Sequence, residues 1–383
     1  MQGWIEGKVR LMQFLCTTND LVSGLQTVGK AVSSRASLPI LTGILFDAGA
    51  GRLGLTASDL DVSIETTVPA SIVEPGRSVI PARYITELAR KLPPADVRFT
   101  TEPDGGSVKI EVGRAEYRIN TMDPDEFPAF PECKGKAELE ISPDTFSGLA
   151  RLSTFAAATD ESRPFLSGVL MEISPGELTM VATDTFRLSI AHAKQDGITG
   201  EMGGVIVPAK VISEVARLSG GLCQTIKVAI DDTQIGFSFE FTRVTARLIE
   251  GKFPNYRLVI PDHYLARMRV SVKPLLEAVD RVSVLAKNDA DAIGQVRLYA
   301  CEGVLVITAN TPDLGGAREE IQVSREGRDA EVVLRARYLL EALKALEQED
   351  AVLDITGAGS PVCVRDRLEG GSYTHLIMPV VTD

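Results

Sequence analysis

Basic side chains recur at matched positions in three similar stretches of this 383-residue chain. The stretches read VIPARYI at 79–85, IVPAKVI at 206–212 and VLRARYL at 333–339. Their first bases, evenly spaced along the chain, are Arg83, Lys210 and Arg337. Seven positions further on, two helical turns along the same face, come Arg90, Arg217 and Lys344. Such rows of cations suit contact with the phosphate backbone of a nucleic acid without reading its bases.

The same three stretches are predicted to form amphipathic helices. At 100° per residue, Ile85, Leu88 and Leu92 lie opposite the basic face of the first helix. An acidic residue sits among the bases of each helix, at Glu87, Glu214 and Glu341. An ordinary solvated face with ion pairs would also give this pattern. The threefold recurrence favours function, because surface charges normally drift after duplication.

Other predicted helices, one early in each copy, add further bases. These are Lys30, Arg151, Arg281 and Lys287. Together the helices would present positive charge to one side of a curved array.

A repeat that spans about a third of the chain must position these helices. Asp59 is matched by Asp184 and Asn310, and Phe127-Pro128 by Phe253-Pro254. Each period combines two helices with many antiparallel strands, which predicts an α+β class and not a Rossmann unit. In the first copy the expected helices are 20–33 and 82–92. The expected strands are 13–17, 40–47, 52–57, 62–68, 77–80, 97–101, 107–112 and 115–121. In later copies, Ser142-Pro143 and Lys273-Pro274 are predicted to open helices.

The composition excludes several classes of protein. No apolar run approaches a membrane span, and the first residues do not resemble a signal peptide. Five scattered cysteines without a CxxC predict the reducing cytosol and no zinc ribbon. The 40 basic against 52 acidic residues give a net charge of −12, which by itself argues against a polyanionic partner.

Residues that could support catalysis fall short of a site. The Gly24–Lys30 segment nearly spells a P-loop, but Ala31 replaces the required Ser or Thr. The acidic string Asp59, Asp61 and Glu65 has no histidine partner and is not repeated. We therefore predict a non-catalytic protein with no cofactor and no metal. A hydrolase on repeated domains and a peptide-binding scaffold without nucleic acid remain alternatives.

An ordered set of short segments runs through the chain: SLPIL at 37–41, LTASDL at 55–60, VIPAR at 79–83, VATD at 181–184 with Arg187-Leu188, GKFPNY at 251–256, VRLY at 296–299 and Met378-Pro379. Through this set the chain resembles a known family, the bacterial DNA polymerase III β subunits or sliding clamps. The resemblance implies three tandem clamp domains, which two chains close head-to-tail as a six-domain ring around duplex DNA. The ring would tether the replicative polymerase and confer processivity without chemistry. Arg35 and Arg83 match family positions that touch DNA.

The resemblance also implies a groove between domains two and three for short linear motifs of polymerase, clamp loader and repair proteins. Matching positions are Leu166, Thr183, Thr185, Phe186, Arg187, Leu188, Pro254, Val259, Leu376, Ile377, Met378, Pro379 and Val380. We expect an apolar slot with Arg187 on its rim, although plain core packing is the alternative for each residue. Thr185 and Phe186 replace a Gly-His pair of well-known members.

The family's ring interface joins domain one to domain three of the neighbouring chain. Its apolar part is matched by Tyr117, Val284 and Leu285, and its polar rim by Arg114 and Arg118 facing Glu319 and Glu320. We expect domains at 12–131, 132–261 and 262–383, preceded by an extension or leader at 1–11.

Overall fold

The computed structural model of the chain describes most of its residues. The described ranges are 11–33, 38–135, 137–160, 162–196, 198, 202–221, 223–286, 294–311, 315–366 and 370–380, without the side chains of residues 137, 138 and 202. The predicted DNA contacts Arg35 and Lys287 lie outside these ranges.

The chain forms two compact units that do not follow the sequence repeat. One comprises Met1–Glu138 with Gly221–Arg247, and the other Leu139–Gly220 with Leu248–Asp383. The first unit therefore takes strands from the second repeat, because these strands extend a sheet of the first. Strand β10 (Ala137–Ile141) covers the point in the sequence where the first unit gives way to the second.

The first unit combines antiparallel sheets with two helices. Its helices are α1 (Thr18–Val28) and α2 (Ala82–Lys91). Its strands are β1 (Gln13–Thr17), β2 (Gly43–Gly49), β3 (Arg52–Ser58), β4 (Val62–Pro69), β5 (Ser71–Glu74), β6 (Gly76–Pro81), β7 (Asp96–Thr101), β8 (Ser107–Val112), β9 (Ala115–Asn120), β15 (Ile226–Ile230), β16 (Gln234–Phe239) and β17 (Thr242–Arg247). One sheet has the order β5-β1-β7-β8-β9, and another runs β15-β16-β17-β4-β3-β2-β6.

Aromatic and aliphatic side chains fill the interior of the first unit. The rings of Phe14 and Phe99 stack with centroids 4.7 Å apart, and Phe46 stacks against Phe99 at 5.9 Å. Gly24 lies inside α1, where an added Cβ would sit 2.6 Å from Leu55 Cδ1. The segment that resembles a P-loop is therefore helical, and its first glycine serves close packing.

The second unit has the same mixture of elements. Its helices are α3 (Pro143–Ser153), α4 (Ala209–Ser219), α5 (Val272–Ser283) and α6 (Ala336–Ala345). Its strands are β11 (Gly168–Ser174), β12 (Glu177–Thr183), β13 (Arg187–Lys194), β14 (Met202–Pro208), β18 (Ala266–Ser271), β19 (Gln295–Cys301), β20 (Val304–Thr311), β21 (Gly315–Gln322), β22 (Ser324–Gly327), β23 (Ala330–Arg335), β24 (Asp350–Ile355), β25 (Val362–Asp366) and β26 (Gly371–Ile377). One sheet has the order β14-β11-β12-β13-β26-β25-β24-β18-β22, and the other β21-β20-β19-β23.

The predicted elements are confirmed with a few corrections. The strand expected from residue 40 begins only at Gly43, because Pro39 opens a 3-10 turn (Pro39–Thr42). The first helix ends at Val28 and continues as a 3-10 turn to Ala31, short of the expected residue 33. The Ser142 hydroxyl caps α3 by accepting a hydrogen bond from the Thr145 amide, as predicted. By contrast, α5 begins at Val272, so Pro274 lies within its first turn.

Strand pairing joins the repeats in the same way twice. In the first unit, β17 of the second repeat pairs antiparallel with β4 of the first, matching Thr242 to Thr66. In the second unit, β26 of the third repeat pairs antiparallel with β13 of the second, matching Ile377 to Arg187. The strands in equivalent sequence positions, β9 and β21, lie at sheet edges. Two matching edges are thus left without a partner strand in the described parts of the chain.

A histidine is buried in the interior of the second unit. His375 has no solvent exposure, and no described residue offers a hydrogen-bond partner to either ring nitrogen. Its ring lies against Phe155, with centroids 5.3 Å apart, and near Tyr373. Burial, reinforced by the charge of Arg187, lowers the pKa of His375 to about 3. The imidazole is therefore neutral in the folded protein.

This burial predicts a loss of stability in mild acid. The unfolded chain takes up a proton at His375 below about pH 6.5, whereas the folded chain does not until about pH 3. The contribution of His375 to the free energy of unfolding is fully present above pH 6.5 and falls as the pH drops toward 3. The loss between pH 6.5 and 5 is about 1.5 kcal/mol. Urea unfolding of wild type and His375→Leu at several pH values should show a flatter profile in the variant. The matched control is His263→Leu, at an exposed site. An identical pH dependence in all three proteins would contradict the prediction.

Candidate functional site

Helix α2 presents the predicted basic face to solvent. Arg83, Glu87 and Arg90 are exposed, whereas Ile85 is buried. Pro81 precedes the helix as its N-cap, where a missing amide proton costs nothing. The helical periodicity of the sequence thus correctly predicts which side of α2 is buried and which is exposed.

Helices α4 and α6 repeat this arrangement. Lys210 and Arg217 are exposed on α4, as are Arg337 and Lys344 on α6. Val215 and Leu339 are buried on the opposite sides. Pro208 is the N-cap of α4, as Pro81 is of α2.

Carboxylates neutralise some of these bases and leave others uncompensated. Glu214 accepts from Arg217, with Nε and Oε2 3.1 Å apart, and Glu341 accepts from Arg337 at 2.7 Å. Glu87 pairs instead with Lys91, at 2.7 Å. The bases with no carboxylate of a described residue within 4.0 Å are Lys30, Arg83, Arg90, Lys210 and Lys344. These uncompensated bases are the strongest candidates for phosphate contact.

Two bases assigned to the same role are engaged elsewhere. Arg151 is half-buried, pairs with Glu347 at 3.0 Å and donates to the carbonyl of Ala345. Arg281 forms a bidentate pair with Glu319, at 2.8 and 2.7 Å, which lowers the pKa of that glutamate. Glu319 is itself assigned to the ring interface. The sequence analysis assigned Arg281 to the DNA surface and Glu319 to the ring interface, whereas in the structure the two side chains form an ion pair.

The candidate groove has a fully packed floor in the second unit. Leu188 and Leu376 belong to one buried cluster with Phe253 and Tyr256. Leu166 and Ile377 are also buried. For these four positions of the floor, core packing describes the side chains as well as a binding role does.

The exposed residues beside this floor are apolar. Phe186 is 51% exposed, Val259 53% and Met378 40%. The Met378 amide donates to the Phe186 carbonyl at 2.8 Å, which holds these two residues as neighbours. Pro254 is exposed, and Pro379 and Val380 are half-buried. Exposed apolar side chains that lie next to buried residues in the chain, as Phe186 and Met378 do, would suit the anchoring of apolar peptide side chains.

Arg187 does not lie on the rim of the groove. It is only 6% exposed, and all three guanidinium nitrogens are engaged. Its Nε donates to Asp184 at 3.0 Å, its Nη2 to the carbonyl of Phe155 at 2.6 Å, and its Nη1 to Glu341. The residue is therefore a buried anchor that fixes the turn carrying Phe186.

The turn before Arg187 repeats one in the first unit. The Asp184 carboxylate accepts from the amides of Phe186 and Arg187, as the Asp59 carboxylate does from those of Asp61 and Val62. This explains why these aspartates recur in the sequence. The residue after each aspartate has a positive φ, 80° at Thr185 and 76° at Leu60. Glycine adopts this conformation freely, whereas a side chain disfavours it, so Thr185 carries backbone strain.

One residue that supports the candidate groove was missed by sequence reasoning. Glu172 on β11 accepts from the Tyr256 hydroxyl at 2.6 Å and from Arg257 at 2.7 Å. These bonds hold the 3-10 turn Tyr256–Val259, which exposes Val259 and the 81% exposed Leu258. Glu172 lies 84 residues before Tyr256, so the local sequence carries no signal for this contact. The apolar pair Leu258-Val259 is visible in the sequence and was the available signal for the turn.

The residues predicted for the ring interface lie on or next to the two open edges. Tyr117 and Arg118 lie on β9, where Tyr117 is 38% exposed and Arg118 pairs with Glu116 at 3.2 Å. Arg114 is exposed in the turn before β9. Glu319 and Glu320 lie on β21. Val284 is 68% exposed after α5, and its neighbour Leu285 is half-buried.

Metal-ion clusters and membrane-spanning helices are both absent from the described part of the chain. No three His, Cys, Asp or Glu side chains of that part lie close enough to hold a metal ion. None of the helices there has the length and hydropathy needed to cross a membrane.

Comparison with known proteins gives matches along the whole repeat. Family models of the DNA polymerase III beta subunit match in order: the N-terminal domain at residues 12–131, the central domain at 140–255 and the C-terminal domain at 257–381. The beta sliding clamp of Bacillus subtilis is 32% identical over 380 residues, covering 97% of this chain and 100% of the relative. The beta sliding clamp of Staphylococcus aureus is 28% identical with the same coverage.

Solved structures agree with these matches. The crystal structure of the DNA polymerase sliding clamp from Bacillus subtilis has a TM-score of 0.91 at 32% identity, covering 97% of this chain and 100% of that one. The sliding clamp of Pseudomonas aeruginosa bound to griselimycin has a TM-score of 0.89 at 27% identity and the same coverage. Because three consecutive domain models and the Bacillus subtilis relative span nearly the whole chain, it belongs to the DNA polymerase III beta subunit family, the bacterial sliding clamps.

Proposed function

We propose that two copies of this chain close head-to-tail into a ring that encircles duplex DNA. The ring would tether the replicative polymerase in the cytoplasm and confer processivity without catalysing a reaction. Each chain would supply three domains, at 12–131, 132–261 and 262–383. Membership of the clamp family supports this function in general terms.

The observation that carries ring closure is the pair of open strand edges. The pairings β17–β4 and β26–β13 join consecutive repeats, and the equivalent strands β9 and β21 have no partner on one side in the described chain. Exposed edges invite pairing with another chain. If β9 of one copy pairs with β21 of the next, and the reverse, both edges of both copies are covered. Such a heterologous contact must close, since otherwise it would polymerise.

The exposed bases of α2, α4 and α6 support contact with DNA. They occupy matched positions in all three repeats, so a symmetric ring would bring each base to an equivalent place. Arginine and lysine contacts to phosphates are independent of base sequence. A protein that slides needs this kind of weak and non-specific attraction.

The exposed Phe186, Val259 and Met378 support a docking surface for partner proteins. Short linear motifs of the polymerase α subunit, the clamp loader and repair proteins would place aliphatic and aromatic side chains there. The bonds of Arg187 and Glu172 would keep this surface in shape before a partner arrives, which lowers the entropic cost of binding.

Topological linkage to DNA is the first prediction. The protein is loaded by a clamp loader and ATP onto nicked circular plasmid, and half of the sample is then cut once with a restriction enzyme. Gel filtration should show the protein retained on circles and lost from linear DNA, because a ring slides off free ends. Equal retention on both forms would reject encirclement. Linear DNA blocked at both ends by bound protein is the control and should restore retention.

The basic helix faces give the second prediction. Reversing the charges in Arg83→Glu, Lys210→Glu and Arg337→Glu together should lower affinity for duplex DNA about tenfold or more and flatten its salt dependence. The matched control reverses Lys134, Lys194 and Arg328, which are exposed and lie outside the helices. Equal DNA affinity of the two triple variants, measured by fluorescence anisotropy at several salt concentrations, would exclude these helix faces as the DNA surface.

The ring interface gives the third prediction. Val284→Asp should yield monomers of 41.2 kDa in sedimentation runs where the wild type sediments at twice this mass, because the interface would bury an unpaired charge. Val73→Asp is the control, since Val73 is also an exposed valine, 53% against 68% for Val284, but lies on β5. If the two variants have the same mass, Val284 lies outside the interface.

A further inference from the structure

One carboxylate in the second unit contacts two arginines that belong to different surfaces. Glu341 lies on α6, half-buried, and accepts from Arg337 through Oε1 at 2.7 Å and from Arg187 through Oε2. Burial alone would raise the pKa of Glu341, but the hydrogen bonds from Arg337 and Arg187 outweigh it and lower the pKa. The side chain is therefore charged at neutral pH and held between two cations.

The Arg187 end of this bridge reaches the candidate groove. Arg187 is 6% exposed, so its charge depends on the carboxylates of Asp184 and Glu341 for compensation. The guanidinium also lies over the ring of Tyr338 on α6, 4.7 Å from its centroid. Asp184 in turn holds the amides of Phe186 and Arg187 at 2.9 and 3.0 Å. Glu341 is thus connected through Arg187 and Asp184 to the turn that exposes Phe186.

The Arg337 end reaches the candidate DNA surface. Arg337 is exposed on α6 and occupies the position matched by Arg83 and Lys210. Pairing with Glu341 raises the pKa of Arg337 and offsets its charge. A phosphate approaching Arg337 would compete with Glu341 for the same guanidinium.

The repeats supply a natural comparison for this glutamate. Glu214 and Glu87 precede Glu341 by one and two periods of the sequence repeat. Glu214 pairs with Arg217 on its own helix, and Glu87 with Lys91 on its own. Among the contacts that the structure describes for these three glutamates, only Glu341 also accepts a hydrogen bond from a buried arginine of another element.

We propose that Glu341 is a positioning residue that serves both surfaces, because its carboxylate holds Arg187 and the Phe186 turn in place while it offsets the charge of Arg337. Occupation of Arg337 by phosphate leaves the carboxylate to Arg187 alone. This inference rests on the proposed function for the identity of the two ligands, but the contact between Glu341 and the turn does not.

The test compares Glu341→Gln with the matched variant Glu214→Gln. Three quantities are measured: amide hydrogen exchange at residues 184–188, the affinity for a fluorescein-labelled ten-residue peptide carrying adjacent leucine and phenylalanine, and the affinity for a fluorescein-labelled 30-base-pair duplex. Glu341→Gln should speed exchange at the turn and weaken the peptide about tenfold, because a buried charge loses one of its partners. Both variants should bind the duplex a few-fold more tightly, since each releases an arginine. Glu214→Gln should leave the turn and the peptide unaffected.

Arg337→Gln separates the carboxylate from general packing of α6. This variant leaves Glu341 with Arg187 alone, so peptide affinity should stay at the wild-type level or rise while duplex affinity falls. Equal exchange and peptide binding in Glu341→Gln and Glu214→Gln would overturn the proposal, as would a peptide loss in Arg337→Gln as large as in Glu341→Gln. If Glu341→Gln does not fold, the test is the peptide affinity of Arg337→Gln. A marked loss of that affinity would reject the proposal. Failure of the wild type to bind peptide or duplex would refute the proposed function, whereas hydrogen exchange still reports on the contact.

Discussion

Backbone groups along a strand edge need partners, and this constraint organises the whole chain. Each of the later repeats contributes a strand that pairs with the preceding repeat, as β17 does with β4 and β26 with β13. These pairings make the compact units cut across the sequence repeats. In the described parts of the chain, these pairings leave one edge open at β9 and one at β21. The same backbone requirement that builds each unit therefore favours association with a second copy.

The net charge of −12 is a poor guide to what this chain could bind, because the distribution of the charges over the surface matters more than their sum. On the basic helices several cations are paired with carboxylates, as Arg217 is with Glu214, while Arg83 and Lys210 have no carboxylate of a described residue within 4.0 Å. In the proposed ring, partial compensation would keep the attraction to phosphate weak. Acidic residues elsewhere would discourage adhesion to the outside. Weak attraction inside and repulsion outside are what a sliding ring needs.

Sequence periodicity predicted most helices and strands of the first repeat, because amphipathic patterns report directly on which side is buried. It assigned Ile85 to the interior and Arg83 to the surface correctly. The pattern failed where long-range partners decide. Arginine is normally exposed, and nothing near Arg187 reveals that Phe155 and Glu341, 32 and 154 residues away, hold it in the interior. The groove positions came from family resemblance, since an exposed Met378 beside a buried Ile377 has no signature of its own.

Strand β13 connects the two themes of the structure. Its backbone bonds to β12 and β26 continue the sheet between repeats, and its first residue, Arg187, is the anchor of the candidate groove. The strain of Thr185 at φ 80° is tolerated because Asp184 and this sheet determine the turn from both sides. The exposed position of Phe186 is therefore a consequence of strand pairing. If a partner docks there as proposed, a surface fixed in this way would have little left to order, and the affinity would then depend mainly on the side chains that it exposes.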